Sequence, residues 1–405
     1  MTTPIAVRPV THEEYADYGR CLATAFGSDH DPEEQARERD LIPLADTLAA
    51  FDGDRLVGTE GVFRMTLTIP GAQVPMAGVT SVSVLPTHRR RGVLTALMRR
   101  RFDDLHARGD WLAGLWASES TIYGRFGYGV ATERIRLEVD KRRARFASPS
   151  STGEVRLVGR AEAERVIPPI YERAAAQRPG MLSREEWWAP MWHDPKERRQ
   201  GRSGLLFAVH STNGVDDGFA VYRTSFDWSG RTTPEVLIED LISTTDAGYA
   251  GTWRYLLDID LMQQAVSTRR PVDEPLAWML ADRGAAQSRA SEGMWLRLVD
   301  VPVALAARAY GGAGSLVLEV EDAFCPWNTG RYRLSAETGG ASCESTTEPA
   351  DLALDAASLA ALYLGGVRPS VLARAQRLWE LTTGALGTAD ALFGWRLLPW
   401  CDRVF

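Results

Sequence analysis

The sequence predicts a mixed α/β chain built from three consecutive parts. Three observations predict it. Over residues 1–150, short apolar runs alternate with stretches of helical spacing, which is typical of an α/β domain. Residues 151–293 repeat this order more faintly, and residues 294–405 change to the pattern of a small α+β module. A chain of 405 residues is long enough for two or three such cores.

The first part begins with a short strand and a helix. The helix is indicated by apolar and aromatic side chains about one turn apart in YADYGRCLATAF. These are Tyr15, Tyr18, Leu22 and Phe26. Two strand-like runs then meet at Pro70-Gly71, a turn pair that predicts antiparallel strands, and a further strand is predicted over 79–85.

A second amphipathic helix follows the arginine-rich stretch THRRRG. Apolar residues keep helical spacing from Val93 to Leu105, and Gly109 stands where a helix C-cap belongs. The strand WLAGLWAS, the glycine-rich turn STIYGRFGYG and the strand VATERIRLEVD come next. A linker is predicted over 147–154, so the first part ends there.

The middle part looks like a degraded copy of the first. The strand-like runs LLFAVH, GFAVYRTSFDW and EVLIEDLIS precede a helical stretch that contains Gly248 and Gly251. No arginine run precedes that helix, so we do not expect a phosphate site there. The last part ends on the apolar stretch DALFGWRLLPWCDRVF, and an apolar terminus indicates docking into the protein.

Composition excludes several classes of function. A formal charge of -7 argues against a general nucleic-acid binder. No run of about 18 apolar residues predicts a membrane span, and the first residues lack a signal-peptide pattern, so we expect a cytoplasmic protein without membrane association. The 4 cysteines lie far apart without metal-ligand spacing, so neither a metal site nor a disulfide framework is expected.

The stretch THRRRGVLTALM is a candidate phosphate cradle. A strand that leads through arginines and a glycine into a helix offers free backbone N–H groups and the positive end of the helix dipole to an anion. From composition alone, a solvated basic face followed by an ordinary helix has about equal weight.

The motifs around this stretch resemble the GNAT acetyltransferases. Arg89-x-x-Gly92 lies between a strand and a helix, and Ile122-Tyr123-x-x-Phe126-Gly127-Tyr128 follows the next strand, although Leu94 replaces the family's usual small residue. The whole chain is similar to the Eis (enhanced intracellular survival) acetyltransferases. The similarity rests on the stretches PTHRRRGVL, ASE and IYGRFGYG, on the second degenerate unit, on the last module and on the final Phe. The resemblance implies two GNAT-like domains in tandem, the second degenerate, followed by a sterol-carrier-like α+β domain.

The resemblance also implies acetyl-CoA as the acetyl donor and a set of residues that bind it. The pantetheine arm would pair with the strand backbone at Val82, Ser83 and Val84. The thiol end would lie beside Ser118 and Glu119. The pyrophosphate would bind Arg89, Arg90, Arg91, Gly92, Val93, Leu94 and Thr95. Plain core packing is the structural alternative for the two valines, and both roles are compatible if their side chains pack on one face while the strand backbone binds the ligand on the other.

Two catalytic residues follow from the same resemblance. Tyr123 would protonate the leaving thiolate, whereas Tyr128 would pack in the core; from the residues alone, Tyr123 is more often a core aromatic. The terminal carboxylate of Phe405 would act on the acceptor amine, with a packed apolar tail as the alternative. His88 is expected to be non-catalytic, because no carboxylate is predicted to pair with it.

The predicted function is therefore an acetyl-CoA-dependent N-acetyltransferase. It would act directly on primary amines of polycationic small molecules such as aminoglycosides, and also on lysine amines. The acidic stretch at 28–40 borders the acceptor cleft in GNAT folds and suits a cationic acceptor, or it is a solvated charged face. The alternative function is a non-catalytic module that binds acyl-CoA or a lipid. The family further implies a homohexamer.

Overall fold

A computed structural model describes residues 5–39, 41–148, 152–226 and 232–405. The chain divides into two compact units. Unit 1 comprises Met1–Ala131, Met294–Arg396 and Val404–Phe405, and unit 2 comprises Thr132–Gly293 and Leu397–Arg403. Unit 1 contains a seven-stranded sheet and a five-stranded sheet, and unit 2 contains a second seven-stranded sheet.

The first stretch of the chain supplies most of the first sheet. Its strands are β1 Ala6–Arg8, β2 Thr47–Asp52, β3 Arg55–Ile69, β4 Ala72–Val84, β5 Leu112–Trp116 and β6 Gly129–Val130. Its helices are α1 Tyr15–Phe26, α2 Pro32–Arg39, α3 Val93–Arg108 and α4 Ser120–Tyr123. The predicted helices α1 and α3 are confirmed. Both end at a left-handed glycine, Gly27 with φ 68° and Gly109 with φ 76°, a conformation that glycine adopts without steric cost.

The middle stretch supplies the second sheet. Its strands are β7 Glu133–Asp140, β8 Glu154–Val158, β9 Leu206–Thr212, β10 Val215–Ser225, β11 Glu235–Ser243, β12 Gln264–Arg270 and β13 Ala286–Glu292. Its helices are α5 Arg160–Ala175, α6 Trp188–Met191, α7 Asp246–Asp258 and α8 Leu276–Met279. The helix α7 connects β11 to the parallel strand β12, as α3 connects β4 to the parallel strand β5. This shared order is the repeat that the sequence predicts.

The last stretch supplies the third sheet and one strand of the first. Its strands are β14 Met294–Leu298, β15 Gly314–Glu321, β16 Gly330–Glu337, β17 Gly340–Ser345, β18 Leu352–Asp355 and β19 Leu378–Glu380. Its helices are α9 Val301–Ala307, α10 Ala356–Leu362, α11 Pro369–Arg374 and α12 Ala385–Phe393. The five-stranded sheet has the order β17-β16-β15-β18-β19.

Two strands lie in a different sheet from the one that the predicted ranges 1–150, 151–293 and 294–405 suggest. The strand β7 pairs with β12 and β13 of the second sheet. The strand β14 lies between β5 and β6 of the first sheet, where all five of its residues are buried. A fully buried strand needs a neighbour on both edges, which explains its position. The predicted linker at 147–154 lies partly outside the described residues.

All four cysteines are buried and free. Among the residues that the structure describes, no group of three or more His, Cys, Asp or Glu side chains could hold a metal ion. No described helix has both the length and the apolar character that crossing a membrane requires.

Candidate active site

The fourth strand of the first sheet bends at a β-bulge. Thr59 of β3 pairs with Ser83, and Gly61 pairs with Thr80, so two residues of β4 lie opposite the single residue between them on β3. One of the two, Ser81, has a φ of 52°, which is unusual for a residue with a side chain. A bulge changes the direction of its strand and therefore re-aims the end of β4.

Three residues before Ser81 of the bulge, β4 separates from β5. The two parallel strands pair only at Ala77 with Ala113 and at Gly78 with Gly114. No strand in the described part of the chain pairs with this edge of β4 after Gly78. The predicted pantetheine residues Val82, Ser83 and Val84 thus lie on a strand edge that is free on one side. An extended ligand can add to such an edge through main-chain hydrogen bonds.

The loop after β4 leads into the N-terminus of α3, which is uncapped. Gly92 has a φ of 83°, and no side chain in the described part of the protein caps α3. The first intrahelical hydrogen bond runs from Ala96 N–H to Gly92 O, at 2.9 Å. The preceding N–H groups, those of Val93, Leu94 and Thr95, have no partner within the helix and are available to an anion.

The three arginines of this loop are in different surroundings. Arg89 donates to the carbonyl of Ala25 at 3.2 Å. Arg91 donates to Asp52 at 2.9 Å. Arg90 is exposed and makes no hydrogen bond or ion pair with any residue that the structure describes. Arg90 is therefore the guanidinium of this loop that is free to bind a phosphate.

The expectation that His88 lacks a carboxylate partner is wrong. Its Nε2 lies 3.3 Å from Asp52 Oδ2, and its Nδ1 lies 2.8 Å from the Thr87 hydroxyl. Asp52 ends β2, which is remote in sequence, so local spacing could not reveal the pair. Since Asp52 also accepts from Arg91, the carboxylate holds both ends of the loop in place.

Tyr123 lies at the end of α4 with only 4% of its surface exposed. Burial raises the pKa of its phenol to about 12, while a hydrogen bond with Ser118 acts in the opposite direction. Glu119 also raises the pKa of Tyr123 through its negative charge. The structure therefore brings together three of the predicted site residues, Tyr123, Ser118 and Glu119.

Tyr128 lies in the core next to Tyr123. Their ring centroids are 6.0 Å apart in an edge-to-face arrangement. Tyr128 is fully buried, and its hydroxyl has no hydrogen-bond partner among the described residues. Burial raises the pKa of this phenol well above its ordinary value. The packing position predicted for Tyr128 agrees with this geometry.

Phe405 lies at the point where β4 and β5 separate. A Cβ atom added at Gly78 would lie 3.1 Å from Cε2 and 3.3 Å from Cδ2 of the Phe405 ring. Gly78 lies in β4 between Ala77 and Val79, both of which share a core cluster with Tyr123. The chain end therefore lies against β4 at Gly78, where β4 and β5 separate.

A buried ion pair at the bulge is absent from the sequence prediction. Glu60, the β3 residue opposite the bulge, accepts three hydrogen bonds of 2.6 to 2.9 Å from Arg101 of α3. Arg101 also donates to the carbonyl of Asp46 at 2.9 Å. Burial raises the pKa of Glu60, and Arg101 opposes that shift. The available signal was an arginine on the apolar face of α3, in helical register with Leu97, Met98 and Leu105.

A surface cavity of about 350 Å³ adjoins the bulge. Apolar side chains of α1, including Leu22 and Phe26, form one wall, and Ser81 lies at the bulge. Asp29 and Asp31 from the predicted acidic stretch also line it. Two carboxylates beside an apolar wall suit a ligand that carries a cationic amine.

In unit 2 the corresponding helix start is occupied by the chain's own side chains. Thr245 caps α7 by accepting from Gly248 N–H at 2.9 Å, and its hydroxyl donates to Asp217 at 2.6 Å. Asp217 also lies 2.7 Å from His210 Nδ1. A Cβ at Gly251 would lie 2.3 Å from the His210 ring, which shows how closely that ring packs on α7.

Comparisons with known proteins agree with these features. Family models for an acetyltransferase (GNAT) domain match residues 6–131 and 180–298, and one for a sterol carrier protein domain matches 301–402. An uncharacterised N-acetyltransferase of Streptomyces coelicolor is 42% identical, over 98% of this chain and 99% of its own length. The N-acetyltransferase Eis of Mycobacterium tuberculosis is 34% identical over 95% of each chain. The crystal structure of Eis1 from Mycobacterium abscessus has a TM-score of 0.88 at 32% identity, over 99% of this chain and 100% of that one.

Proposed function

Because the chain belongs to the Eis family of GNAT N-acetyltransferases, we propose that it transfers an acetyl group from acetyl-CoA directly to a primary amine of a polycationic small molecule. Aminoglycosides and lysine amines are the proposed acceptor classes. The observation that carries the proposal is the free edge of β4, which leads into the uncapped N-terminus of α3.

The residues around that edge fit the donor. The backbone of Val82, Ser83 and Val84 would hold the pantetheine arm as an added strand. The first-turn N–H groups of α3 and the free guanidinium of Arg90 would bind the pyrophosphate. At Gly92 an added Cβ would meet no atom of the described residues within 4 Å, so the loop leaves room there. The left-handed φ of this position is what favours glycine. When bound, acetyl-CoA supplies the activated acetyl group as a thioester.

Tyr123 is the proposed proton donor to the departing sulfur. With a pKa of about 12, the phenol stays protonated at neutral pH and can donate throughout the reaction. Transfer to a thiolate whose own pKa is near 8.5 is uphill by about 5 kcal/mol on these values. The phenol therefore stabilises the thiolate by a strong hydrogen bond during the reaction. Complete transfer of the proton to sulfur accompanies the release of coenzyme A.

Phe405 is proposed to act on the acceptor through its terminal carboxylate. An α-carboxyl group with a pKa near 3.5 and an amine with a pKa near 10 differ by about 9 kcal/mol, so direct proton abstraction in water is unfavourable. Burial raises the pKa of a carboxylate, and desolvation lowers that of an ammonium. The carboxylate would thus orient the ammonium and pass its proton through a water, while Asp29 and Asp31 attract the other amines.

Release of coenzyme A tests the proposal. We expect free thiol to appear when the protein is given acetyl-CoA and an aminoglycoside, and mass spectrometry to show one or more acetyl groups on the acceptor. The same aminoglycoside with its amines already acetylated is the control. Release of no thiol with any amine would support the alternative, a binding module for acyl-CoA or a lipid.

Direct transfer and assembly need separate measurements. Intact mass of the protein after incubation with acetyl-CoA alone should show no acetyl-enzyme, since direct transfer forms none. A stable acetylated enzyme would contradict this part of the proposal. The proposed homohexamer predicts a particle six times the mass of one chain in light scattering. Any other mass would contradict the hexamer.

A further inference from the structure

Unit 2 contains a cavity that the proposed reaction does not use. Its volume is about 230 Å³, the volume of roughly eight waters in the liquid. One side is apolar and largely aromatic, whereas the candidate active site is built from residues of unit 1. The apolar lining residues are Trp188, Met191, Trp192, Leu205, Phe207 and Val221. Such a wall suits the apolar body of a compact ligand.

A buried arginine without an acceptor also lines this cavity. Arg403 has only 8% of its surface exposed, and its Nε and Nη1 have no hydrogen-bond partner within the described ranges. Its guanidinium lies 3.8 Å from the centre of the Trp187 ring. Burial lowers the pKa of Arg403 to about 10, the direction expected for a cation that lacks a counter-ion. A buried guanidinium without a carboxylate partner is costly, so binding of a ligand that supplies an acceptor to it would be favourable.

The carboxylates that line the cavity already have arginine partners. Asp240 accepts two hydrogen bonds from Arg184, at 2.6 and 2.9 Å, and Asp402 also accepts from Arg184. Tyr171 donates to Asp402 as well, which further occupies that carboxylate.

The remaining lining charges are unevenly balanced. Glu239 accepts from Arg223 at 3.1 Å. Arg269, which also lines the cavity, donates through Nε to the backbone carbonyl of Asp402 at 3.1 Å and pairs with no carboxylate of the described residues. The cavity lining thus carries four arginines against three carboxylates, an excess of one positive charge that favours an anion over a cation.

We propose that this cavity binds a small carboxylate with an aromatic or branched apolar body, whose oxygens accept from the Arg403 guanidinium. The carboxylate matches the planar, two-donor geometry of a guanidinium. The apolar body contacts the wall that contains Trp188 and Phe207. The cavity is too small for a large polycation, so its ligand differs in charge and size from the proposed amine acceptor.

Titration calorimetry with three probes of the same shape tests the charge preference. Benzoate, benzamide and benzylamine are titrated into the full-length protein at neutral pH, with coenzyme A in excess to occupy the phosphate loop. We expect benzoate to bind, benzamide to bind about tenfold more weakly or worse, and benzylamine not to bind. Absence of benzoate binding at millimolar concentration, or equal binding of benzylamine, would overturn the proposal.

Variants locate the site. Arg403→Met removes the charge and keeps an apolar chain of similar length, so benzoate affinity should fall about tenfold or more while benzamide affinity changes little. Arg165→Met, at an exposed arginine of α5, is the matched control and should bind benzoate like the wild type. Undiminished benzoate binding by Arg403→Met contradicts the assignment.

A second variant keeps the proposal testable if Arg403→Met does not fold. Val221→Phe fills space in the cavity and retains Arg403, so it should weaken benzoate and benzamide alike. If benzoate affinity is unchanged in folded Val221→Phe protein, the ligand binds elsewhere and the proposal is wrong. Circular dichroism of each variant shows whether it is folded.

Discussion

Tyr123 and Tyr128 carry the same phenol in different surroundings, which makes them a matched pair. The Tyr123 hydroxyl interacts with Ser118, whereas the Tyr128 hydroxyl has no partner among the described residues. We predict that Tyr123→Phe lowers kcat about 100-fold, in the range of a lost general acid, without changing acetyl-CoA affinity. Tyr128→Phe should leave kcat near the wild-type value. A larger loss of kcat in Tyr128→Phe would mean that Tyr128, and not Tyr123, is the general acid.

The pKa of Tyr123 makes a second prediction about the pH profile. Burial raises this pKa to about 12, so the phenol stays protonated as the pH rises from 7 to 10. The kcat of the wild type should therefore not fall through ionisation of Tyr123 in this interval. The measurement compares kcat with pH for the wild type and Tyr123→Phe. An alkaline decrease with an apparent pKa below 10 that disappears in Tyr123→Phe would contradict the assignment.

Arg90 differs from its neighbours because no residue in the described part of the chain engages its guanidinium. We predict that Arg90→Ala raises the KM for acetyl-CoA about tenfold or more, the effect of losing a hydrogen bond to a charged group, with a small change in kcat. Phosphate contacts are remote from the transferred acetyl group, which explains the separation. Arg90→Lys should restore part of the affinity, and Arg165→Ala is the control for charge loss. An unchanged KM in Arg90→Ala would remove Arg90 from the site.

At the scale of elements, sequence patterns predicted the helices whose formation depends on residues within one segment. The helices α1 and α3 were predictable because apolar spacing and a terminal glycine lie within each segment. The bulge at Ser81 was not, because it depends on the register between β3 and β4. The pair of His88 with Asp52 was missed for the same reason, since the two residues meet only once β2 is beside the loop.

The contact between β4 and Phe405 gives a prediction at this scale. An alanine at Gly78 would place its Cβ 2.7 Å from Met65 Sδ and 3.1 Å from the Phe405 ring, so Gly78→Ala should displace that ring and lower kcat. Gly114→Ala is the matched control on β5. Its Cβ would lie 2.7 Å from Met76 Sδ, a similar clash that does not involve Phe405.

Both glycine variants should lose about 1–3 kcal/mol of unfolding free energy through overpacking. Only Gly78→Ala should lose turnover, which is measured as kcat at saturating acetyl-CoA beside a denaturation curve for each variant. Equal kcat in the two variants would show that the position of the Phe405 ring does not affect turnover.

At the scale of the whole molecule, the sequence predicted the order of the parts but not the assignment of every strand to a sheet. The alternation along β7 buries Ile135, Leu137 and Val139, and this pattern predicts a strand without naming its partners. The apolar run of β14 predicts a buried strand in the same way. Pairing between strands that are far apart in sequence is decided by register and by which edges remain free, so segment-by-segment reasoning could not place these two strands.

The chain end supports the last prediction. The ring of Phe405 packs at Gly78, where β4 leaves β5, and the proposed reaction uses the carboxylate that follows this ring. A peptide added after Phe405 converts that carboxylate into an amide, which carries no charge, and moves the new terminus away. Either this extension or deletion of Phe405 should therefore abolish turnover, while binding of acetyl-CoA at β4 and α3 survives. The measurements are thiol release and calorimetric titration of coenzyme A, with a peptide of equal length at the N-terminus as the control. Full turnover in the C-terminally extended protein, verified intact by mass spectrometry, would show that the reaction does not need the carboxylate of Phe405.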